Sequence, residues 1–170
     1  MQLNWLEQTA TDNALLSDGF PEKMVLLDCE TTGGRAKYHR VIEIGLLVIE
    51  NGQLVETWQS FINPETIIPR HIQKLTGISP KMVQNAPKFG EISEILLEKL
   101  KDRTLVAHNA RFDYSFLKSE FERAGIAYST KPLCSVKMSR NLYPQFKRHG
   151  LSEIIRRFDL NIENRHRALD

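Results

Sequence analysis

The amino-acid sequence predicts an α/β domain, and two observations lead to that fold class. Three apolar runs come early in the chain, and Asn51-Gly52 separates the second run, Val41 to Ile49, from the third, Leu54 to Ile62. An Asn-Gly pair between two such runs is typical of an antiparallel hairpin. Beyond residue 88, stretches of strand character alternate with stretches of helical periodicity, which indicates helices packed on the same sheet.

Length, composition and charge limit the classes of protein to which the chain can belong. The 170 residues suffice for about one domain, and 41% hydrophobic with 26% charged residues is ordinary for a soluble globular protein. A net charge of +2 permits a nucleic-acid partner without arguing for one. Cys29 and Cys134 stand too far apart for a zinc or redox Cys-x-x-Cys motif, which favours a reducing cytoplasm. No apolar run approaches the roughly 18 residues that span a bilayer, so we expect a cytoplasmic protein without membrane attachment.

The elements of the first half follow in chain order. Residues 1–22 are interpreted as an N-terminal arm, and residues 23–170 as the main domain. After the hairpin comes a loop and then a helical turn that closes at Gly77. Apolar residues at helical spacing predict a helix over about residues 88–101, and a short strand is predicted at Thr104 to Ala107.

The second half is predicted to begin with a helix that Asn109 caps. The inward face of this helix carries Leu117, Phe121 and Ala124. The remaining elements are a strand within residues 131–138, a basic connection that carries Lys147, Arg148 and His149, and an amphipathic helix from Leu151 to Phe158 with Arg156 and Arg157 outside. The basic connection is either a solvated loop or a contact for phosphates.

The first strand ends in two carboxylates, and this stretch is the clearest indication of chemistry. Asp28 and Glu30 are two residues apart, so both side chains project from one side of the strand while Leu27 and Cys29 project from the other. Two carboxylates on one side repel each other, and that repulsion raises the pKa of at least one unless a cation lies between them. Hard divalent ions such as Mg²⁺ and Mn²⁺ prefer oxygen ligands of this kind. The alternative is a solvated strand end.

A third acid continues a buried helical face. One turn before Leu117 the same stripe reaches Asp113. A lone carboxylate there is costly unless it is paired or bound to a metal ion, which makes Asp113 a candidate third ligand. The alternative is an acid that complements the helix dipole in the first turn. Glu43 is either a further acid at the site or, as we favour, a strand-edge carboxylate that faces solvent or a basic neighbour. For His108 we favour a structural role.

Three motifs in order resemble the exonuclease motifs of the DnaQ-like DEDDh family. They are Asp28-x-Glu30-Thr-Thr-Gly, His108-Asn-Ala-x-Phe-Asp113 and His166-Arg-Ala-Leu, and the match spans Val25 to the end of the chain. The resemblance implies a ribonuclease H-like fold, in which a mixed five-stranded sheet has three antiparallel strands, then parallel strands, with helices on both faces. The predicted hairpin and the later alternation agree with it.

The same resemblance implies roles for individual residues. Asp28, Glu30 and Asp113 would hold two Mg²⁺ or Mn²⁺ ions, and His166 would act as the general base. The residues implied to contact the terminal nucleotide are Thr31, Thr32, Thr76, Gly77, His108 and Asn109. The implied activity is metal-dependent 3′–5′ hydrolysis of single-stranded nucleic acid, with DNA favoured, which releases nucleoside 5′-monophosphates.

Two other functions stay open from the sequence. A nucleic-acid 3′-end-binding or scaffolding module would keep the fold without cleavage, although the complete set of Asp28, Glu30, Asp113 and His166 argues against it. An RNA-trimming exoribonuclease would share the motifs, because the choice between DNA and RNA depends on contacts around the sugar 2′ position. The implied partners are a single-stranded 3′ end and either a DNA polymerase subunit or a fused C-terminal domain.

The end of the chain departs from the family pattern. The pattern places a fourth carboxylate five residues after the histidine, which here is one residue beyond Asp170. Asp170 follows His166 by four residues and is a candidate metal ligand in its place if both lie on one helical face. We expect instead that the domain is truncated within its C-terminal helix, that the next residue is an acid, and that metal binding and catalysis are weakened.

Overall fold

The computed structural model describes residues 20–160 and Ala168, and its sheet has five strands in the order β3-β2-β1-β4-β5. The strands are Lys23–Thr31 (β1), Val41–Glu50 (β2), Gln53–Phe61 (β3), Thr104–Ala107 (β4) and Leu133–Cys134 (β5). The first three pair antiparallel, whereas β4 runs parallel to β1 and β5 runs parallel to β4. The predicted mixed five-stranded fold class is therefore confirmed.

Helices connect and cover the strands. They are Arg70–Thr76 (α1), Pro80–Val83 (α2), Phe89–Leu100 (α3), Arg111–Arg123 (α4), Ser135–Leu142 (α5) and Leu151–Phe158 (α6). Within the described part of the chain, none of these helices has the length and apolar character needed to cross a membrane. The predicted helices at 88–101 and 151–158 are confirmed to within a residue or two.

The turn between β2 and β3 shows why its sequence predicts a hairpin. Asn51 and Gly52 have φ angles of 50° and 75°, both in the left-handed region. Two consecutive residues of this conformation form the type I′ turn whose twist matches that of the flanking strands, and Asn-Gly adopts it with little strain.

The main core lies between the sheet and the helices α3 and α4. Alternate residues of β1 and β2, among them Val25, Leu27 and Ile44, are fully or almost fully buried against these helices. Phe89 of α3 meets Phe121 of α4 edge to face, with ring centroids 5.1 Å apart. Burial of each such side chain contributes about 1.5–3 kcal/mol, so this core fixes α4 against the strand that carries the predicted acids.

A smaller core anchors α1 and α2 at the other side of β2. It consists of Ile42, Ile68, Ile72, Ile78 and Val83, with Phe61 packed against it. The helix α1 ends as predicted at Gly77, whose φ of 72° is the left-handed conformation typical of a glycine C-cap.

Two predictions about α4 are wrong. Asn109 does not cap it, because Ala110 holds the N-cap position while Asn109 adopts a left-handed φ of 63° in the preceding turn. Ala124 does not belong to the inward face, because it follows the last helical residue and is exposed. The buried face continues through Phe116 and Glu120 instead.

The strand predicted within residues 131–138 is present, but it is shorter than that range and a helix that was not predicted follows it. Only Leu133–Cys134 pair with β4, and the helix α5 begins at Ser135. Residues at this edge have one neighbouring strand, so a two-residue pairing and an amphipathic helix satisfy the backbone better than a longer strand does.

The short α2 was not predicted. The arm of residues 1–22 lies almost wholly outside the described residues, as do His166 and Asp170.

Candidate active site

The site begins where β1 extends past its neighbour. The strand β4 pairs only with Met24, Val25 and Leu26, so the end of β1 that carries Asp28 and Glu30 projects beyond it. The first turn of α4 fills the space that β4 leaves, because the chain passes from Ala107 into that helix within a few residues. The strand and the helix therefore bring Asp113 beside the two carboxylates predicted from the sequence.

Asp113 is fixed to β1 by its own side chain. Its Oδ1 atom accepts the backbone N–H of Cys29 at 3.2 Å, and the residue is 2% exposed. Burial raises the pKa of Asp113 to about 7, and the negative charges of Asp28 and Glu30 add to that rise. An acid with this pKa is about half ionised at neutral pH and lies among other acids, which distinguishes it from a simple dipole-capping residue.

Cys29 lies in the same electrostatic environment but is not a candidate nucleophile. Burial raises the pKa of its thiol well above the usual value, and the charges of Asp113, Asp28 and Glu30 raise it further. A thiol that stays protonated and has 5% of its surface exposed is inert as a nucleophile. Cys29 therefore belongs to the core beneath the acids.

The three acids fit a hard divalent cation by their chemistry. Their donor atoms are carboxylate oxygens, and the raised pKa of Asp113 shows that its negative charge is disfavoured until positive charge is supplied. Among residues 20–160 and Ala168, no three His, Cys, Asp or Glu side chains are arranged to hold a metal ion by themselves. The two other predicted functional residues, His166 and Asp170, lie outside the described residues.

The predicted nucleotide contacts on the threonines are already occupied within the fold. Thr31 donates its hydroxyl to the carbonyl of Gly33 at 2.9 Å, and the Thr32 hydroxyl accepts the N–H of Arg40 at 2.9 Å. Thr76 donates to the carbonyl of Ile72 at 3.0 Å. These three hydroxyls are buried and form hydrogen bonds within the protein. Gly77 is the C-cap of the helix α1, which contains Thr76.

His108 and Asn109 lie between β4 and α4. The Nδ1 atom of His108 lies 3.0 Å from the hydroxyl of Ser135 at the start of α5. Burial lowers the pKa of His108 and so favours the neutral form of the ring. This contact connects the second motif to α5 and agrees with the structural role predicted for His108.

The prediction for Glu43 is wrong, because this residue is fully buried. Its carboxylate accepts the side-chain amide of Gln59 at 2.7 Å on Oε1 and the backbone N–H of Ala168 at 3.3 Å on Oε2. Glu43 lies directly opposite Glu30 in the pairing of β1 with β2, so both side chains are on one face of the sheet. The register of β1 with β2, which depends on contacts between separate segments, is what reveals this position of Glu43.

A second buried acid on α4 has a partner of opposite charge. Both carboxylate oxygens of Glu120 accept the Nε–H of Arg40, at 2.9 and 3.1 Å, and Oε1 also accepts the N–H of Val41. Glu120 is 1% exposed. This ion pair connects the loop after β1 to α4 and holds the far end of the helix in place.

Part of the predicted basic connection is structural. His149 is buried, with Nδ1 2.8 Å from the Ser139 hydroxyl and Nε2 2.8 Å from the carbonyl of Phe146. The side chain of Arg157 is not fully exposed to solvent as predicted, because its guanidinium lies 3.8 Å from the centre of the Phe146 ring. Lys147 and Arg148 are the exposed cations of this connection.

The fold and the acidic strand end define a class of protein, the ribonuclease H-like nucleases. The family model RNase T, described as an exonuclease family, matches residues 25–170, so the chain belongs to that family and carries an exonuclease domain. The nuclease domain of 3′hExo, a DEDDh family member solved with bound rAMP, matches with a TM-score of 0.73 at 18% identity, over 86% of this chain and 84% of that one. The resemblance to DnaQ-like DEDDh exonucleases is thereby confirmed.

Two groups of larger bacterial proteins contain a similar segment. The PolC-type DNA polymerase III of Caldanaerobacter subterraneus subsp. tengcongensis is 38% identical over 148 residues, which cover 87% of this chain and 11% of that protein. The 3′-5′ exonuclease DinG of Bacillus subtilis is 38% identical over 149 residues, which cover 86% of this chain and 16% of that protein. The chain thus spans only a small fraction of the length of these relatives.

Proposed function

We propose that this domain is a divalent-metal-dependent 3′–5′ exonuclease that shortens single-stranded DNA and releases nucleoside 5′-monophosphates. The observation that carries the proposal is the buried carboxylate of Asp113, which lies beside Asp28 and Glu30 and has a pKa raised to about 7. A neutral residue at position 113 would relieve the repulsion and stabilise the fold, so stability alone does not explain the acid. Divalent cations bound with the substrate would offset the repulsion among these three carboxylates.

Asp28, Glu30 and Asp113 are the residues that would hold Mg²⁺ or Mn²⁺. Two such ions, when bound, stabilise the attacking and leaving oxygens of an in-line displacement at phosphorus. The protein contributes the fixed geometry: the hydrogen bond from Cys29 and the packing of α4 keep Asp113 in place before substrate binds. Asp170 is a candidate for a further ligand.

His166 is the proposed general base. An imidazole with a pKa near its ordinary value of 6.5 accepts a proton from the attacking water at neutral pH. The proton then leaves to solvent from the ring, so each turnover returns the base to its neutral form. By the family resemblance, the terminal nucleotide is proposed to contact the backbone around Thr31, Thr32, Thr76, Gly77, His108 and Asn109.

DNA is favoured over RNA because two similar relatives are named as a DNA polymerase and as a 3′-5′ exonuclease of the DinG type. These names support a proposed activity in replication or repair, either beside a polymerase subunit or within a longer cytoplasmic polypeptide. A matched pair of DNA and RNA oligonucleotides of one sequence tests the choice. Faster release from RNA would assign the domain to RNA trimming.

The experiment for the activity uses oligonucleotides labelled at either end. With Mg²⁺, a 3′ label is expected to appear in mononucleotides from the first turnover, whereas a 5′ label appears in a ladder of shortened products. Chelator and Asp28→Ala should each abolish release. Asp102→Asn serves as the control substitution, because Asp102 lies at an exposed turn near the start of β4 and asparagine tolerates its left-handed φ of 57°. Undiminished release by Asp28→Ala would contradict the proposal.

A further inference from the structure

Glu43 is a buried acid to which the proposed function assigns no role. It lies on β2 directly opposite Glu30, and in an antiparallel pair such residues have Cβ atoms about 5 Å apart on one face. The residue is fully buried, although a carboxylate is among the groups least often buried. Its place beside a proposed metal ligand therefore needs an explanation other than solvent contact.

The partners of Glu43 come from two distant parts of the chain. Oε1 accepts the amide of Gln59 on the neighbouring strand β3, and Oε2 accepts the backbone N–H of Ala168. Ala168 is itself 7% exposed, and this hydrogen bond spans 125 positions of sequence. This hydrogen bond is 3.3 Å long and both of its residues are buried, so Glu43 provides an attachment point for the backbone at Ala168.

The attachment point lies close to the proposed base. Ala168 follows His166 by two residues, and two residues of chain span at most about 7 Å. A backbone held at Ala168 therefore restricts how far the Cα atom of His166 can move from that point. The same carboxylate lies opposite Glu30 in the register of β1 with β2.

We propose that Glu43 is a positioning residue, which holds the backbone at Ala168 and thereby keeps His166 next to the acidic strand end. This inference rests on the proposed function, because it gives His166 its role as base. A general base must come within hydrogen-bond reach of the water that it deprotonates, and a displacement of about 1 Å can cost 100-fold in rate. One anchor two residues away restricts the segment while leaving the imidazole ring free to adjust.

Gln59 supplies a matched control for the anchor. It binds the other oxygen of the same carboxylate and has no part in the contact with Ala168. Gln59→Ala therefore tests whether any disturbance around Glu43 is sufficient. Glu43→Gln keeps one side-chain oxygen that can accept the Ala168 N–H, and Glu43→Ala removes the acceptor altogether.

The anchor is measured first, without catalysis. Selective ¹⁵N-alanine labelling reports hydrogen exchange at the Ala168 amide, with the amide of Ala107 in β4 as the internal reference. Glu43→Ala should accelerate exchange at Ala168 at least tenfold relative to Ala107, whereas Gln59→Ala should change it less than threefold and Glu43→Gln should restore most of the protection. Equal exchange at Ala168 in Glu43→Ala and the parent protein would overturn the anchor.

The positioning role is measured by a kinetic cycle with His166→Ala at a temperature at which all variants are folded. Glu43→Ala should lower kcat for oligonucleotide hydrolysis 10- to 100-fold and leave KM within threefold. It should also remove the inflection in the pH profile of kcat that deprotonation of His166 produces. In the His166→Ala background, Glu43→Ala should cause less than a threefold further loss, because the residue that it positions is already absent.

Several results would contradict the positioning role. An unchanged kcat in Glu43→Ala would show that the hydrogen bond between Glu43 and Ala168 has only a structural role. A loss in Glu43→Ala that multiplies fully with that of His166→Ala would show that Glu43 acts by another route. Absence of metal-dependent release by the parent protein would remove the proposed function itself, whereas the Ala168 exchange data would still report whether the anchor exists.

Discussion

The two ends of α4 carry buried carboxylates in opposite electrostatic surroundings. Glu120, near the C-terminal end, binds the Arg40 guanidinium and the Val41 N–H. Asp113, in the first turn, faces Asp28 and Glu30, and its pKa is raised to about 7. One helix and one core therefore hold an acid that contributes to folding and an acid that opposes it. Burial is common to both acids, so the feature that makes Asp113 the candidate functional acid is its burial among like charges.

The largest expected effect comes from Asp113→Asn. The amide keeps an oxygen for the Cys29 N–H but removes the charge proposed to bind metal ions. Mononucleotide release should fall more than about 100-fold, since loss of groups that merely support metal ligands already costs up to that much. In chelator at pH 8 the variant should be more stable than the parent by about 2 kcal/mol, because the repulsion is gone. Urea unfolding measures this change, and a lower stability would contradict the assignment.

The opposite sign is expected at the other end of the helix. Glu120→Gln leaves the Arg40 guanidinium without its carboxylate in a mostly buried site, and stability should fall by about 3 kcal/mol. Glu122→Gln, two residues later on an exposed face, is the matched control and should change stability by less than about 0.5 kcal/mol. Equal effects of the two substitutions in urea unfolding would show that the Arg40 pair contributes nothing.

The pH dependence of stability separates the two acids further. The pKa of Asp113 is raised from 3.8 to about 7 in the folded state, so between these values the folded chain holds a proton that the unfolded chain has released. Its contribution to stability is therefore complete below pH 4 and is lost as the pH rises to about 7, a change on the order of 2–4 kcal/mol. In metal-free protein this loss should appear as the difference between the parent and Asp113→Asn. A difference that stays constant from pH 4 to 8 would refute it.

The smallest expected effect concerns the loop that presents Arg40 to Glu120. A Cβ atom on Gly33 would lie 2.5 Å from Nε2 of His39, so Gly33→Ala must displace that ring next to Arg40. Gly34→Ala meets no atom within 4 Å and serves as the control. Thermal unfolding should show a loss of about 1–2 kcal/mol for Gly33→Ala and almost none for Gly34→Ala.

The sequence predicted those parts of the fold and site that depend on local patterns. Alternation in β1 placed Asp28 and Glu30 on one side, and the Asn51-Gly52 pair identified the hairpin. The helical stripe through Leu117 led back to Asp113, which the structure places beside the strand acids. In each case neighbours in the sequence determine the geometry, so one chain is enough to deduce it.

The predictions that failed depend on contacts between distant segments. Glu43 looked like an edge acid because nothing near it in sequence reveals Gln59 and Ala168 as partners. Asn109 has the composition of a helix cap, but the turn from β4 into α4 puts it in a left-handed conformation instead. The strand within residues 131–138 is limited to two residues at the sheet edge, because the helix α5 begins directly after them.

The central claim is that the buried carboxylate of Asp113 binds a divalent cation. Titration of the Asp113 carboxyl group tests this claim most directly. Carboxyl ¹³C resonances of aspartate-labelled protein, assigned with Asp113→Asn, report its pKa without and with Mg²⁺. A value near 7 is expected in chelator. With saturating Mg²⁺ it should fall by at least about 2 units, because the ion favours the ionised form. A value near 4 in chelator, or one that Mg²⁺ leaves unchanged, would contradict the claim.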